Sequence, residues 1–316
     1  MKKRKAGGEE LLPSRLGRGG GNVHHWERRN GNRKRGYVME DLVTELTDMT
    51  FLDWSQRKMS PGTPGCFLKA YEEKKNRRIY YKLSNYDSYR GVFGHECINE
   101  LIVSRVMNIL KIPHLQYRLI HAELCIEKKR IETWICASEN FREPDEQKLG
   151  FDVLYDLKKN EDESPLEFAV RCGWEQYIYQ MFLIDYLVAN RDRHGGNLEV
   201  LRKSDEEMRM APLFDQGVSL LFSTYGDEKQ IEEFDVLRDF PVNNFIGSRS
   251  LEYNLSLIPS GYNLKTAGLS ESDREYIFDG LDMILTRAHA AKIWRMIWER
   301  WCRYEAIRGE RRTLWE

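Results

Sequence analysis

Asn190-Arg191-Asp192-Arg193-His194-Gly195-Gly196-Asn197, followed further along by Phe214-Asp215-Gln216-Gly217, is the stretch on which the reading of this chain turns. Moving phosphate to a hydroxyl needs a group that accepts the hydroxyl proton and hard oxygen ligands for magnesium, because rate comes mainly from positioning and charge neutralisation. Asp192 suits the first task, and the Asn197 amide oxygen and the Asp215 carboxylate suit the second. Gly195 and Gly196 allow the turn that brings Asp192 and Asn197 to one cavity.

Asp-x4-Asn alone should occur about once by chance in a chain of this length. Context raises its value. An apolar helical stretch, Tyr177 to Val188, runs into the loop, and a strand pair on either side of Lys203 to Glu207 links the loop to Asp215. A solvated, charged turn after a core helix is the plainer alternative, with His194 as an ordinary hydrogen-bonded histidine.

The loop resembles the catalytic loop of HipA-like serine/threonine kinases and phosphoinositide 3/4-kinases, and Phe214 to Gly217 resembles their metal-binding Asp-x-Gly. The resemblance spans roughly Met59 to Trp301. It implies an α+β, two-lobed protein-kinase-like fold, with a small mixed β/α N-lobe and a mainly helical C-lobe. It also implies ATP and Mg2+ as cofactors, Asp192 as catalytic base, and Asn197 and Asp215 as metal ligands. The expected domains are a disordered basic extension at 1–36, an N-lobe at 37–140 and a C-lobe at 141–316.

At 316 residues the chain can hold two lobes around a cleft. Its six cysteines show no CxxC or other close metal spacing, no secretory segment opens the chain, and no apolar run reaches bilayer length. A soluble, cytoplasmic protein with reduced thiols is expected. The net charge of -1 hides an asymmetry, about +8 over residues 1–36 and about -9 over the remainder. Contact with nucleic acid is therefore expected only through the basic extension, which is too poor in apolar residues to fold.

Upstream, Tyr37 to Thr50 carries apolar residues at helical spacing and predicts an amphipathic helix. Met59 to Lys69 is a Gly/Pro turn running into a strand at Phe67 to Tyr71. Gly62 and Gly65 would let main-chain N–H groups approach phosphate, with Ser60 and Thr63 adding hydroxyls. The turn resembles the Ser-Gly loop of HipA-like kinases, which marks Ser60 and Thr63 as autophosphorylation candidates. Arg78 to Leu83 alternates as a strand and presents Lys82, suited to the α- and β-phosphates. Glu100, on the helix that follows, is the chosen partner of Lys82, with Glu96 one turn earlier as the alternative. Leu115 to His121 and Ile131 to Cys136 predict two more strands, and main-chain groups of Ile135 to Ser138 are the expected adenine hinge.

Downstream, helices are predicted over Gln147 to Lys158, Pro165 to Cys172 and Trp174 to Val188, from Ser270 through Leu285, and over His289 to Ile307. Phe240 to Asn254 occupies the place of a substrate loop. Three functions compete: a protein serine/threonine kinase acting on an unidentified protein, a lipid or small-molecule kinase suggested by Asp-Arg-His, and a nucleotide-binding subunit beside an antitoxin-like regulator. Few clustered basic residues in the body disfavour a lipid headgroup, and the intact acidic set disfavours a binding-only role.

Overall fold

The computed structural model describes residues 41–54, 67–74, 77–203, 207–224 and 226–313. The chain divides into two units, residues 1–38 and 39–316, and every element below belongs to the second. The basic extension and the loop residues Ser60, Gly62, Thr63 and Gly65 lie outside the described residues.

The first half is built on β1 (Leu42–Asp48), β2 (Lys69–Lys74), β3 (Arg77–Leu83), a small hairpin of β4 (Tyr86–Asp87) and β5 (Gly91–Val92), helix α1 (Glu96–Leu110), β6 (Tyr117–Ile126) and β7 (Lys129–Glu139). Five of the strands form one sheet in the order β1-β6-β7-β3-β2. Alternation along the strands gives the sheet two faces. Tyr81, Leu83, Ile120, Ile135 and Ala137 close a small core on one side. Leu119 and Cys136 pack with α1 in the larger core on the other. Lys82 pairs in register with Cys136 and so stands on the α1 side.

Of the helix predicted from Tyr37 to Thr50, the described residues form a strand instead: β1 lies parallel to β6, with Leu42 opposite Leu119 and Val43 opposite Ile120. The β-branched Val43, Thr44 and Thr47 favour a strand once an edge is available, and that tertiary partner overrides the helical spacing. Ile135 to Ser138 also differ from expectation. They lie in β7, between β3 and β6, where ladders on both sides engage their main chain. The chain leaves the sheet only after Glu139, and the Asn140 N–H still donates to the Arg78 carbonyl at 2.9 Å.

The second half contains β8 (Gln147–Gly150), α2 (Phe151–Lys158), α3 (Pro165–Arg171), α4 (Glu175–Val188), β9 (Asp192–Arg193), β10 (Glu199–Arg202), β11 (Met208–Met210), α5 (Glu228–Glu233), β12 (Asn243–Asn244), α6 (Leu251–Ser256), α7 (Asp273–Phe278) and α8 (Arg287–Thr313). The helix expected from Gln147 starts instead at Phe151, because Gln147 to Gly150 pair antiparallel with β10. The helix expected through Leu285 stops at Phe278, where Gly280 turns left-handed at φ 72. Helix α4 is buried on all sides from Ile178 to Val188, as a helix apolar all round must be. The α8 stripe of Ile293, Trp294, Ile297 and Trp301 is buried in the same core. No helix among the described residues is long and apolar enough to cross a membrane.

Candidate active site

The loop after α4 is shaped by its first residues. Ala189 takes a left-handed φ of 51, and the Asn190 N–H donates to the Asp185 carbonyl at 3.0 Å, so the helix ends in a sharp reversal. Asp185, buried near the end of α4, then organises the loop. Its carboxylate accepts from Asn190 Nδ2 at 3.0 Å and from Arg193 Nε and Nη2 at 3.1 and 2.8 Å. Arg193 also donates to the Phe214 carbonyl at 2.9 Å, which ties the loop to the Asp-x-Gly turn. Burial opposes the Arg193 charge, but the Asp185 carboxylate outweighs it and raises its pKa.

This scaffold sets the exposed face of the loop. The Asp192 carboxylate remains partly exposed. Asn197 Nδ2 donates to the Asp192 carbonyl at 2.9 Å, which leaves the amide oxygen as the group able to ligate a cation. Gly196 N–H donates to His194 Nδ1 at 3.0 Å, so the neutral ring carries its proton on Nε2, 3.8 Å from Asp192 Oδ2.

Asp215 adopts φ 61, a left-handed conformation that aspartate tolerates better than most residues. Its N–H donates to Tyr117 Oη at 3.2 Å and its Oδ1 accepts from Lys82 Nζ at 2.8 Å. Lys82 also donates to Glu100 Oε1 at 3.3 Å, while Glu100 Oε2 accepts the Gln216 N–H at 2.9 Å. Asn99 Nδ2 donates to the carbonyls of Gly217 and Ser219 at 2.9 and 3.0 Å, so α1 is fastened to the Asp-x-Gly turn at two adjacent residues. Glu96 does not join this set; its carboxylate accepts from the Asn85 N–H at 3.2 Å and from the Asn85 side-chain amide.

The electrostatics follow from the packing. Burial would raise the Asp215 pKa, but the Lys82 charge and hydrogen bond, with Lys69 and Arg193 behind them, pull it down to about 2. Glu100 moves the other way, because deep burial and the Asp215 charge outweigh the attraction of Lys82. Lys82 itself is held well above its ordinary value: burial works against its charge, and Asp215, Tyr117 and Glu100 more than compensate. Lys69 pairs in register with Lys82 on the neighbouring strand, a second cation on the cleft face that sequence reasoning did not single out.

The structure thus brings Lys82, Glu100 and Asp215 into one bonded set and ties it through Arg193 to the loop carrying Asp192 and Asn197. Among the described residues, no group of three or more His, Cys, Asp or Glu could hold a metal ion. A carboxylate and an amide oxygen fit magnesium nonetheless, since it keeps water and phosphate oxygens as its remaining ligands. Phe141, on the segment that leaves the sheet, stacks on Phe214 with ring centroids 5.8 Å apart. Asn243, also not singled out in the sequence, donates from Nδ2 to Asp192 Oδ1 at 3.3 Å.

No protein-family model matches the sequence. No curated protein matches it either. Among solved structures, the chain is similar to the Helicobacter pylori proinflammatory kinase CtkA, at a TM-score of 0.52 and 18% identity, over 85% of this chain and 99% of that one. A second match is to the Shewanella oneidensis toxin-antitoxin complex of HipA, HipB and operator DNA, at a TM-score of 0.35 and 14% identity, over 81% of this chain and 60% of that one. A sheet-rich lobe, a helical lobe and the likeness to the Helicobacter kinase together give this chain the two-lobed, kinase-like α+β fold that the HipA-like loop implied.

Proposed function

We propose that the chain is an ATP- and magnesium-dependent protein serine/threonine kinase of the HipA-like type, able to phosphorylate itself. The observation that carries the reading is the joining of Lys82 to both Glu100 and Asp215, with Arg193 linking the Asp-x-Gly turn to the loop that bears Asp192 and Asn197. In this reading Lys82, oriented by Glu100, binds the α- and β-phosphates, and Asn197 Oδ1 and Asp215 hold magnesium. Bound magnesium supplies neutralisation of charge on the phosphate oxygens. Asp192 takes up the proton of the acceptor hydroxyl. Ser60 and Thr63, in the loop expected to cover the phosphates together with Gly62 and Gly65, are the proposed sites of self-phosphorylation.

The test is to incubate purified wild-type and Asp192→Ala proteins with magnesium and γ-labelled ATP, and to locate phosphate by intact and peptide mass spectrometry. Label on the wild type, reduced 10²–10⁴-fold or more in the variant, is the expected result. Nucleotide binding without label on either protein would reject a protein kinase and favour a lipid or small-molecule acceptor, or a role in binding alone.

A further inference from the structure

Asp192 lies on β9, whose ladder partner is β12, a two-residue strand delivered from well beyond the Asp-x-Gly turn. The pairing is parallel, with Asn243 opposite Asp192 and Asn244 opposite Arg193. Its bonds are main-chain: the Asn243 N–H donates to the Arg191 carbonyl at 2.9 Å and the Phe245 N–H to the Arg193 carbonyl at 3.0 Å. The segment that delivers β12 is itself fixed. The buried Arg300 guanidinium donates to the carbonyls of Val236 and Arg238, each at 2.7 Å. Arg191 stands 4.2 Å from the centroid of the Phe240 ring. Asp239 accepts from the Leu251 N–H at 2.9 Å at the start of α6.

From this fixed strand, Asn243 Nδ2 reaches Asp192 Oδ1 at 3.3 Å. At the other carboxylate oxygen, Oδ2, the nearby donor is His194 Nε2, 3.8 Å away and beyond hydrogen-bond reach. An aspartate carboxylate turns about a broad, weakly restrained torsion, so a donor on one oxygen sets where the other points. We infer that Asn243 is a positioning residue for phosphoryl transfer to a protein hydroxyl, holding Asp192 by Oδ1 and presenting Oδ2 to the acceptor. The inference rests on the reading of Asp192 as the base. In that step the acceptor oxygen bonds to the γ-phosphorus of the nucleoside triphosphate. The bond from that phosphorus to the β-γ bridging oxygen breaks with its electron pair leaving on the diphosphate, and the hydroxyl proton passes to Asp192 Oδ2.

The experiment uses the full chain, magnesium, γ-labelled ATP and dephosphorylated casein, with transfer to casein and to the protein itself both counted. Asn243→Ala removes the donor. Asn243→Asp keeps the shape and replaces the donor with a carboxylate. Asn243→Gln keeps the amide on a longer stem. The ladder bonds are main-chain and the Asn243 side chain is exposed, so all three variants should melt with the wild type. The first two should lower kcat about tenfold with KM for ATP unchanged, and Asn243→Gln should regain part of the loss. In the Asp192→Ala background, Asn243→Ala should cost nothing more, because the two residues act as one unit. A wild-type kcat in Asn243→Asp, or an equal loss with and without Asp192, would overturn the inference while leaving the kinase reading intact. A wild-type protein that labels neither casein nor itself would overturn both.

Discussion

Lys82 and Asp215 are joined by a 2.8 Å bond that links β3 to the Asp-x-Gly turn, with Glu100 sharing the same ammonium at 3.3 Å. Lys82→Met removes a cation from between two carboxylates. It should lower kcat/KM for phosphoryl transfer at least about a hundredfold and weaken nucleotide binding measured by titration calorimetry. Glu100→Gln should cost less, about tenfold, because its amide oxygen can still accept the Gln216 N–H. Equal losses in the two variants would mean that Glu100 does more than orient Lys82.

Asp185 and Arg193 form a buried two-pronged pair beneath the loop. Asp185→Asn leaves the Arg193 guanidinium in the interior without a carboxylate. The expected cost is about 3–5 kcal/mol in denaturant unfolding, with transfer activity falling as Asp192 loses its support. Arg193→Lys should be nearly as damaging, since an ammonium cannot reproduce the guanidinium fork that serves both Asp185 and the Phe214 carbonyl.

Gly195 packs against α2. A methyl group there would lie 2.6 Å from both Cβ and Cγ of Asp152, close to the helix backbone. Gly195→Ala should therefore push the loop and α2 apart, at a cost of about 1–3 kcal/mol and a lower kcat. A crystal structure of the variant should show the shift on the loop side or the helix side.

His95, at the start of α1, and His289, early in α8, meet with ring centroids 4.8 Å apart. Burial, and for His95 also the neighbouring His289, hold their pKa values down to about 3 and about 4, against an ordinary 6.5. Both rings are neutral in the fold, while the unfolded chain takes up protons as pH drops through 6.5. The unfolded state then binds more protons, so stability should decrease from about pH 6.5 down to about pH 4, by up to about 1.4 kcal/mol per pH unit for each ring. Urea midpoints measured across that window should fall in the wild type and fall less steeply in His289→Phe. Parallel slopes would assign the acid sensitivity elsewhere.

The candidate site was legible where it is written in contiguous residues. Asp192, Asn197 and Asp215 stand in short motifs whose residue types suit the proposed magnesium and phosphate chemistry, and Lys82 lies on β3, a strand whose alternation can be read directly. What the sequence hid depends on distant partners. Asn243 reaches Asp192 only because the chain doubles back to lay β12 beside β9, and no local pattern announces that pairing. β1 has helical spacing and becomes a strand because β6 offers an edge. Gln147 to Gly150 look like the first turn of a helix until β10 claims them. The main chain of Ile135 to Ser138 looked free for adenine only while the strands on both sides of it were unseen.

Arg105 on α1 is fully buried, and its guanidinium donates to both carboxylate oxygens of Asp41, each at 2.9 Å, as well as to the carbonyls of Ile277 and Asp279 at 3.1 and 2.8 Å. One side chain thus fastens the residue before β1 to the end of α7, although the two are far apart in the sequence. The folding unit consequently starts before Met59, where the motif resemblance begins. A fragment begun at Met59 would strip β1 from β6 and strand a buried guanidinium, and should melt well below the full chain, by about 3–5 kcal/mol of unfolding free energy. Asp41→Asn in the intact protein should reproduce part of that loss without removing a single strand.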